Sequence, residues 1–132
     1  MELVEKKAVG ASVVEVHGKL IGTPDNCDEM HRLFKSLLDN GQSKIVVDLG
    51  HTPWANSQGI GMLIGAFTSV SNVGGNLVLS HVPDRINDVL TVTKLNLVFK
   101  TFDNEEAAVR FLTGKDPRRA DEVAEEQPPI GT

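Results

Sequence analysis

The chain has 132 residues, of which 40% are hydrophobic and 23% charged, and this composition fits one globular domain with a single core. Its formal net charge of -5 excludes the basic surface of a nucleic-acid-binding protein. It has one cysteine, no leader pattern at its start and no apolar run long enough to cross a bilayer, so we expect a reduced, cytoplasmic protein without membrane association.

The first half of the chain predicts a β-hairpin, a helix and a central strand. Residues 4–9 and 12–17 form two strand-like runs, and Gly10 separates them. Thr23-Pro24 is a typical helix start, with a capping threonine and a proline at the first helical position. The following helix ends at Asn40-Gly41, and the apolar run Lys44–Leu49 is typical of a buried strand.

The second half predicts strands that alternate with helices. The elements are a helix from about Ser57 to about Asn72, a strand at Asn76–Ser80, a helix opened by Pro83-Asp84, a strand at Leu97–Thr101 and a last helix capped by Asp103 or Asn104. This alternation predicts an α/β fold whose sheet is largely parallel in its second half. Residues 115–132 are charged and nearly free of large apolar groups, so we expect a disordered tail after a domain at 1–114.

The metal-binding and nucleophilic residue types form no recognisable motif. The four histidines, His17, His31, His51 and His81, fall on different elements without metal-ligand spacing, so we predict neither a metal site nor a cofactor. Cys27 lies on the apolar side of the first helix pattern and is expected to be a small buried hydrophobe.

The stretch HTPWANSQGIGMLIGAF, residues 51–67, places a serine between the end of a strand and the start of a helix. One interpretation is that Asn56 or Ser57 only caps the helix. Another is that the Ser57 hydroxyl is exposed and accepts a phosphoryl group, whose charge the helix N-terminus would tolerate. A third, a hydrolase that pairs Ser57 with His51, lacks an evident third catalytic residue and an oxyanion-hole motif.

The glycines of the same stretch, Gly59, Gly61 and Gly65, lie inside the helix pattern, and no Lys-Ser/Thr follows them as a phosphate loop requires. Because each glycine costs a helix about 1 kcal/mol relative to alanine, we expect the sheet or a partner to approach the helix backbone closely here.

Several short motifs resemble the STAS domain of anti-sigma-factor antagonists. The family's strand ending in Asp-Leu, its aromatic or aliphatic pair and its Asp-Ser-x-Gly-Leu/Ile-Gly helix start correspond here to Val47-Asp48-Leu49, Trp54-Ala55 and Asn56-Ser57-Gln58-Gly59-Ile60-Gly61. Gly18-Lys19-Leu20 and the Gly74-Gly75 before Leu77–Leu79 also fit the family, and the order of elements agrees over residues 1 to about 114.

The resemblance implies a STAS-type mixed β-sheet with helices packed mainly on one face. It also implies a non-enzymatic switch in transcription regulation, in which the unmodified protein binds an anti-sigma factor that is itself a serine protein kinase. Phosphorylation breaks that complex and a serine phosphatase restores it. The alternative is a constitutive STAS adaptor in another signalling or lipid-transport complex.

Carried over by position, the phosphorylation site is Ser57. The expected partner-binding residues are Ile21, Trp54, Asn56, Ser57, Gln58, Gly59 and Ile60. Two of these positions depart from the family pattern, because Asn56 replaces the usual acidic neighbour of the serine and Ile21 replaces a commonly acidic residue.

Overall fold

A five-stranded mixed sheet organises the chain, and the computed structural model describes residues 1–114 of it. The predicted tail at 115–132 therefore lies outside the described residues. Strands β1 (Glu2–Ala8) and β2 (Ala11–His17) form an antiparallel hairpin, whose two-residue turn has Gly10 at a φ of 84°. Strands β3 (Lys44–Asp48), β4 (Asn76–Ser80) and β5 (Thr101–Phe102) continue the sheet in parallel, in the order β1-β2-β3-β4-β5.

Four helices connect or follow these strands: α1 (Pro24–Asp39), α2 (Ser57–Asn72), α3 (Asp84–Val92) and α4 (Glu105–Thr113). The predicted start of α1 is confirmed, because the Thr23 hydroxyl accepts the Asn26 N–H at 3.1 Å and Pro24 is the first helical residue. Asn104 caps α4 by accepting the Ala107 N–H at 2.8 Å. The alternation of hairpin, helix and parallel strand predicted from the sequence is therefore confirmed.

The two faces of the sheet are covered unequally. Helices α1, α2 and α3 pack on one face, where Val14, Val16, Ile45, Val47, Leu77 and Leu79 meet their apolar side chains. Within residues 1–114, helix α4 alone covers the other face, over Ala11, Val13, Val46 and Val78. The period of two along each strand explains both layers, since alternate residues point to opposite faces. Helices thus pack mainly on one face, as the resemblance implied.

The predicted last strand is present, but its predicted bounds, Leu97–Thr101, are wrong. Residues Leu95–Leu97 form a 3-10 turn, and only Thr101–Phe102 pair with β4. The apolar residues of this run do not share one buried strand: Leu97 is 80% exposed, whereas Phe99 is buried and meets the Phe67 ring edge-on at 5.3 Å. The chain turns here to bury Phe99, and an apolar run of this length does not distinguish a turn from a strand.

The expected burial of Cys27 is also wrong, because the thiol lies on an exposed part of α1. Met30, Phe34 and Leu37 supply the buried stripe of this helix. Cys27 precedes that stripe by one turn.

Candidate functional site

The segments that follow β2 and β3 meet at one edge of the sheet, because both strands are parallel and end there. Backbone hydrogen bonds join them: the Leu20 N–H donates to the Trp54 carbonyl at 3.0 Å, and the Asn56 N–H donates to the Leu20 carbonyl at 3.1 Å. The buried Thr52 hydroxyl donates to the Val16 carbonyl at 2.8 Å. The loop before α2 is therefore held at both ends and in its middle, although it contains no regular strand.

Asn56, and not Ser57, caps α2. The Asn56 side-chain oxygen accepts the Gly59 N–H at 2.7 Å and the Gly22 N–H at 3.4 Å. The cap therefore joins the start of α2 to the segment after β2. An aspartate would present the same acceptor oxygens, so the departure from the acidic family residue preserves the cap and removes only its negative charge.

Ser57 is the first residue of α2, and its side chain is exposed. Within residues 1–114, its hydroxyl has no hydrogen-bond partner, and neither do the backbone N–H groups of Ser57 and Gln58. Such N–H groups at a helix start carry a partial positive charge and bind anions. The site combines a free hydroxyl with two free donors on an accessible surface.

Two of the predicted partner-binding residues, Gly59 and Ile60, are buried. The first turn of α2 packs directly on Leu20, and a Cβ atom at Gly59 would collide with the Leu20 carbonyl oxygen. Gly59 therefore permits the close approach that its sequence position predicted. Gly61 and Gly65 differ, because a Cβ atom at either would meet open space.

The other predicted partner-binding residues lie around Ser57. Gln58 is exposed, whereas Ile21, Trp54 and Asn56 are half-buried. The Trp54 ring lies 5.7 Å from the Lys19 ammonium and lines a cavity of about 200 Å³ with Ala55, Ile60, Arg85, Ile86 and Val89. We use the name docking surface for the predicted partner-binding residues Ile21, Trp54, Asn56, Ser57 and Gln58. Trp54 gives it an aromatic group, and Lys19 and Arg85 place two cations beside it.

A buried carboxylate lies at the end of β3. Asp48 accepts hydrogen bonds from the Ser80 hydroxyl at 2.8 Å and the Gly50 N–H at 2.9 Å, and its Oδ2 contacts His81 Nδ1 at 2.6 Å. Burial alone would raise the pKa of Asp48, but the hydrogen bonds from His81, Gly50 and Ser80 outweigh burial and lower it below its ordinary value. This network fixes the loop start after β3 to the end of β4.

Ser57 and His51 do not form the catalytic pair that the hydrolase interpretation requires. No hydrogen bond joins the Ser57 hydroxyl to His51 within the described chain, and the His51 ring instead stacks on His17 with their centroids 4.3 Å apart. General-base activation of a serine requires hydrogen-bond reach between the two groups.

Sequence reasoning missed a second cluster, on the α4 face of the sheet. Glu15 and His17 are two residues apart on β2 and thus share a face, and the fold brings His51 beside them. Hydrogen bonds from Glu105, Lys6 and His17 lower the pKa of Glu15 to about 2, while burial and the neighbouring Glu15 raise the pKa of Glu105. The sequence signal for this cluster was the Glu-x-His spacing on one strand, which places Glu15 and His17 on the same face. The third residue, His51, comes from the loop after β3, and no local pattern links it to the other two.

Comparisons with known proteins agree on one family. The sequence model of the STAS domain family matches residues 2–108. A protein of Thermotoga neapolitana named as an anti-sigma factor antagonist is 29% identical over 83 residues, which are 63% of this chain and 74% of that protein. The protein BtrV of Bordetella bronchiseptica, also named as an anti-sigma factor antagonist, is 22% identical over 89% of this chain and all of its own length.

Solved structures share the fold at low sequence identity. A protein of Thermotoga maritima named as an anti-sigma factor antagonist superposes with a TM-score of 0.71 at 21% identity, covering 84% of this chain and 94% of its own. The Bacillus cell fate determinant SpoIIAA in its phosphorylated form superposes with a TM-score of 0.64 at 16% identity, covering 83% of this chain and 98% of its own. A sulfate transporter family protein of Wolinella succinogenes superposes with a TM-score of 0.70 at 17% identity, covering 82% of this chain and 88% of its own. In the part of this chain that is described, no helix has the length and apolar character to cross a membrane.

Proposed function

The chain belongs to the STAS domain family, and from that membership we propose that it is an anti-sigma factor antagonist controlled by phosphorylation of Ser57. The unmodified docking surface binds an anti-sigma factor that is also a serine protein kinase, and a sigma factor is thereby released. A serine phosphatase returns the modified chain to its binding form. Two relatives named as anti-sigma factor antagonists and a structural neighbour solved in a phosphorylated form support this proposal.

The observation that carries the proposal is that Asn56, and not Ser57, supplies the N-cap of α2. Asn56 already caps α2, and the exposed Ser57 hydroxyl has no partner within residues 1–114. A phosphoryl group on this oxygen therefore breaks no hydrogen bond of the fold. It would add a charge of about -1.5 to -2 beside the free N–H groups of α2, where the helix dipole stabilises an anion.

The same charge is unfavourable once a partner covers the docking surface. Ile21 and Trp54 are half-buried apolar side chains of the docking surface, so a partner that packs on this surface removes water from Ser57. Burial of an ion without a matched counter-charge costs several kcal/mol, and each 1.4 kcal/mol is a tenfold change in affinity. Phosphorylation therefore weakens the complex strongly while the fold is retained.

This function makes the chain a substrate and a binding module, not an enzyme. The docking surface offers an aromatic side chain, a helix start and a hydroxyl, and no general base contacts that hydroxyl within residues 1–114. We place the chain in the cytoplasm, where its kinase, phosphatase and transcription machinery act, and we assign it no cofactor.

The test is phosphorylation in vitro followed by mass spectrometry. The chain is incubated with its cognate anti-sigma factor kinase and ATP, beside the variants Ser57→Ala and Ser71→Ala. Ser71 is a matched control because it is an exposed serine of the same helix. We expect one phosphate at Ser57 in the parent and in Ser71→Ala, and none in Ser57→Ala. A phosphate at another residue, or none in the parent, contradicts the proposal.

A constitutive adaptor function is the second candidate, because a sulfate transporter family protein matches the fold as closely as the antagonists do. In an adaptor, Ser57 only begins the helix and is never modified. Replacing Ser57 by aspartate would then leave the affinity for the partner unchanged, whereas the switch proposal requires a large loss.

A further inference from the structure

Three metal-ligating side chains converge at the end of β2, on the sheet face that α4 covers. One ligand atom from each of Glu15, His17 and His51 lies within 4.8 Å of the other two. Glu15 and His17 are half-buried and belong to one strand, while His51 is exposed and belongs to the loop after β3. The Gly18 N–H donates to the His51 carbonyl at 3.0 Å, so the backbone on which the third ligand sits is fixed.

We propose that Glu15, His17 and His51 bind a divalent transition-metal ion, of which Zn²⁺ is the reference case. Two imidazoles and one carboxylate are an established set of protein ligands for zinc, and they leave the fourth tetrahedral position to water. This site is separate from the docking surface and uses none of its residues.

The contacts in the structure show where the ion fits. His17 Nε2 and Glu15 Oε1 are 2.9 Å apart, which is hydrogen-bond distance. An ion placed between these two atoms has two of its ligands in place with little movement, since ligand atoms around tetrahedral zinc with bonds of about 2.0–2.1 Å are about 3.3 Å apart.

The third ligand requires only a side-chain rotation. The His51 ring lies nearly parallel to the His17 ring, at an interplanar angle of 15°. Parallel rings do not aim their nitrogens at a common point, so His51 must turn toward Glu15 and His17. Because its side chain is otherwise exposed, this rotation gives up only the ring contact with His17.

The surroundings orient the carboxylate and attract cations. The second oxygen of Glu15 accepts the Lys6 ammonium at 2.9 Å, which leaves Oε1 directed at His17. Hydrogen-bonded partners of this kind hold metal ligands in position. A cavity of about 450 Å³ reaches the site, and its lining includes the carboxylates of Glu15, Asp48, Glu105 and Glu106. Its four carboxylates give an approaching cation a favourable path.

Metal binding would join β2 to the loop that precedes α2. His51 lies near the start of that loop, and the same loop carries Trp54 and Asn56 of the docking surface. The metal site itself does not depend on the proposed function, because it can be tested without any protein partner.

The test is isothermal titration of tag-free protein with Zn²⁺, with Mg²⁺ as the control ion, because Mg²⁺ prefers oxygen ligands. We compare the parent with His17→Ala, His51→Ala and, as a matched control, His31→Ala, which removes an exposed histidine of α1. We expect one Zn²⁺ per chain for the parent and for His31→Ala, no binding of Mg²⁺, and at least about tenfold weaker Zn²⁺ binding in each of the other two variants.

Circular dichroism before titration confirms that each variant is folded, and thermal melting gives an independent readout. Because an ion that binds only the folded chain stabilises it, Zn²⁺ should raise the melting temperature of the parent and of His31→Ala, but not that of His51→Ala. Absence of Zn²⁺ binding in the parent overturns the proposal, and so does equal binding by the parent and His51→Ala. A loss in His31→Ala as large as in His51→Ala also overturns it.

Discussion

Replacement of Asn56 tests how the start of α2 is built. Asn56→Ala removes the acceptor of the 2.7 Å hydrogen bond from Gly59 and of the longer one from Gly22. Loss of an N-cap costs about 0.5–2 kcal/mol, and the two donors left without an acceptor place this variant in the upper half of that range. For a chain of this size, about 1.5 kcal/mol lowers the melting temperature by about 4–8 °C.

Two further variants distinguish the contribution of the Asn56 cap to stability from that of the neighbouring Ser57. Asn56→Asp keeps the acceptor oxygens and adds a negative charge at the helix N-terminus, so we expect a stability equal to the parent or about 0.3–1 kcal/mol higher. Ser57→Ala removes a hydroxyl that has no partner within residues 1–114, so we expect a change below about 0.5 kcal/mol.

Urea denaturation monitored by circular dichroism at 222 nm, with thermal melting beside it, measures all three variants. The order expected is Asn56→Asp, then Ser57→Ala close to the parent, then Asn56→Ala clearly below. If Ser57→Ala lost as much stability as Asn56→Ala, the serine would share the capping role, and the argument that its hydroxyl is free for modification would fail.

Two other substitutions test the packing and the buried carboxylate. Gly59→Ala forces a Cβ atom onto the Leu20 carbonyl oxygen and should lower the free energy of unfolding by about 1–3 kcal/mol. At Gly65 the added Cβ atom meets open space, so Gly65→Ala should raise the free energy of unfolding by about 0.5–1 kcal/mol through helix propensity. Equal effects of the two variants in denaturation curves would refute the close approach at Gly59. Because the pKa of Asp48 is lower in the fold than its value of about 3.9 in the unfolded chain, its stabilisation is present above about pH 4 and is lost as the pH falls through the folded pKa. Asp48→Asn should lower the free energy of unfolding by about 1.5–3 kcal/mol at neutral pH, and this free energy should then fall less steeply below about pH 4 than in the parent. An unchanged fall below about pH 4 would assign the acid sensitivity to other groups.

Local signals predicted the helix starts and the parallel strands well. Thr23-Pro24 determined the start of α1 through a hydroxyl cap and a preset proline φ, both of which depend only on neighbouring residues. The fold of α2 followed in the same way from the Asn-Ser pair and the apolar spacing behind it. Which of the two residues is the cap could not be predicted, because asparagine and serine have similar capping preferences and the Gly22 contact comes from another segment.

Features that depend on distant residues were not accessible from the pattern. The apolar run at 97–101 predicted a strand, yet the burial of Phe99 against Phe67 required a turn. The close approach of the Leu20 carbonyl to Gly59 also joins two segments that are distant in the sequence. The Glu15, His17 and His51 cluster likewise joins a strand to a loop 34 residues away from His17, and only the register of the sheet brings them together.

In the proposed switch, the charge on Ser57 governs docking. The most direct measurement compares, by isothermal titration, the affinity of the anti-sigma factor for the unmodified chain and for the chain phosphorylated only at Ser57. We predict binding at least about a hundredfold weaker for the phosphorylated chain, since a buried phosphate costs about 3 kcal/mol or more. Equal affinities for the two forms would contradict it, even if the fold assignment were correct.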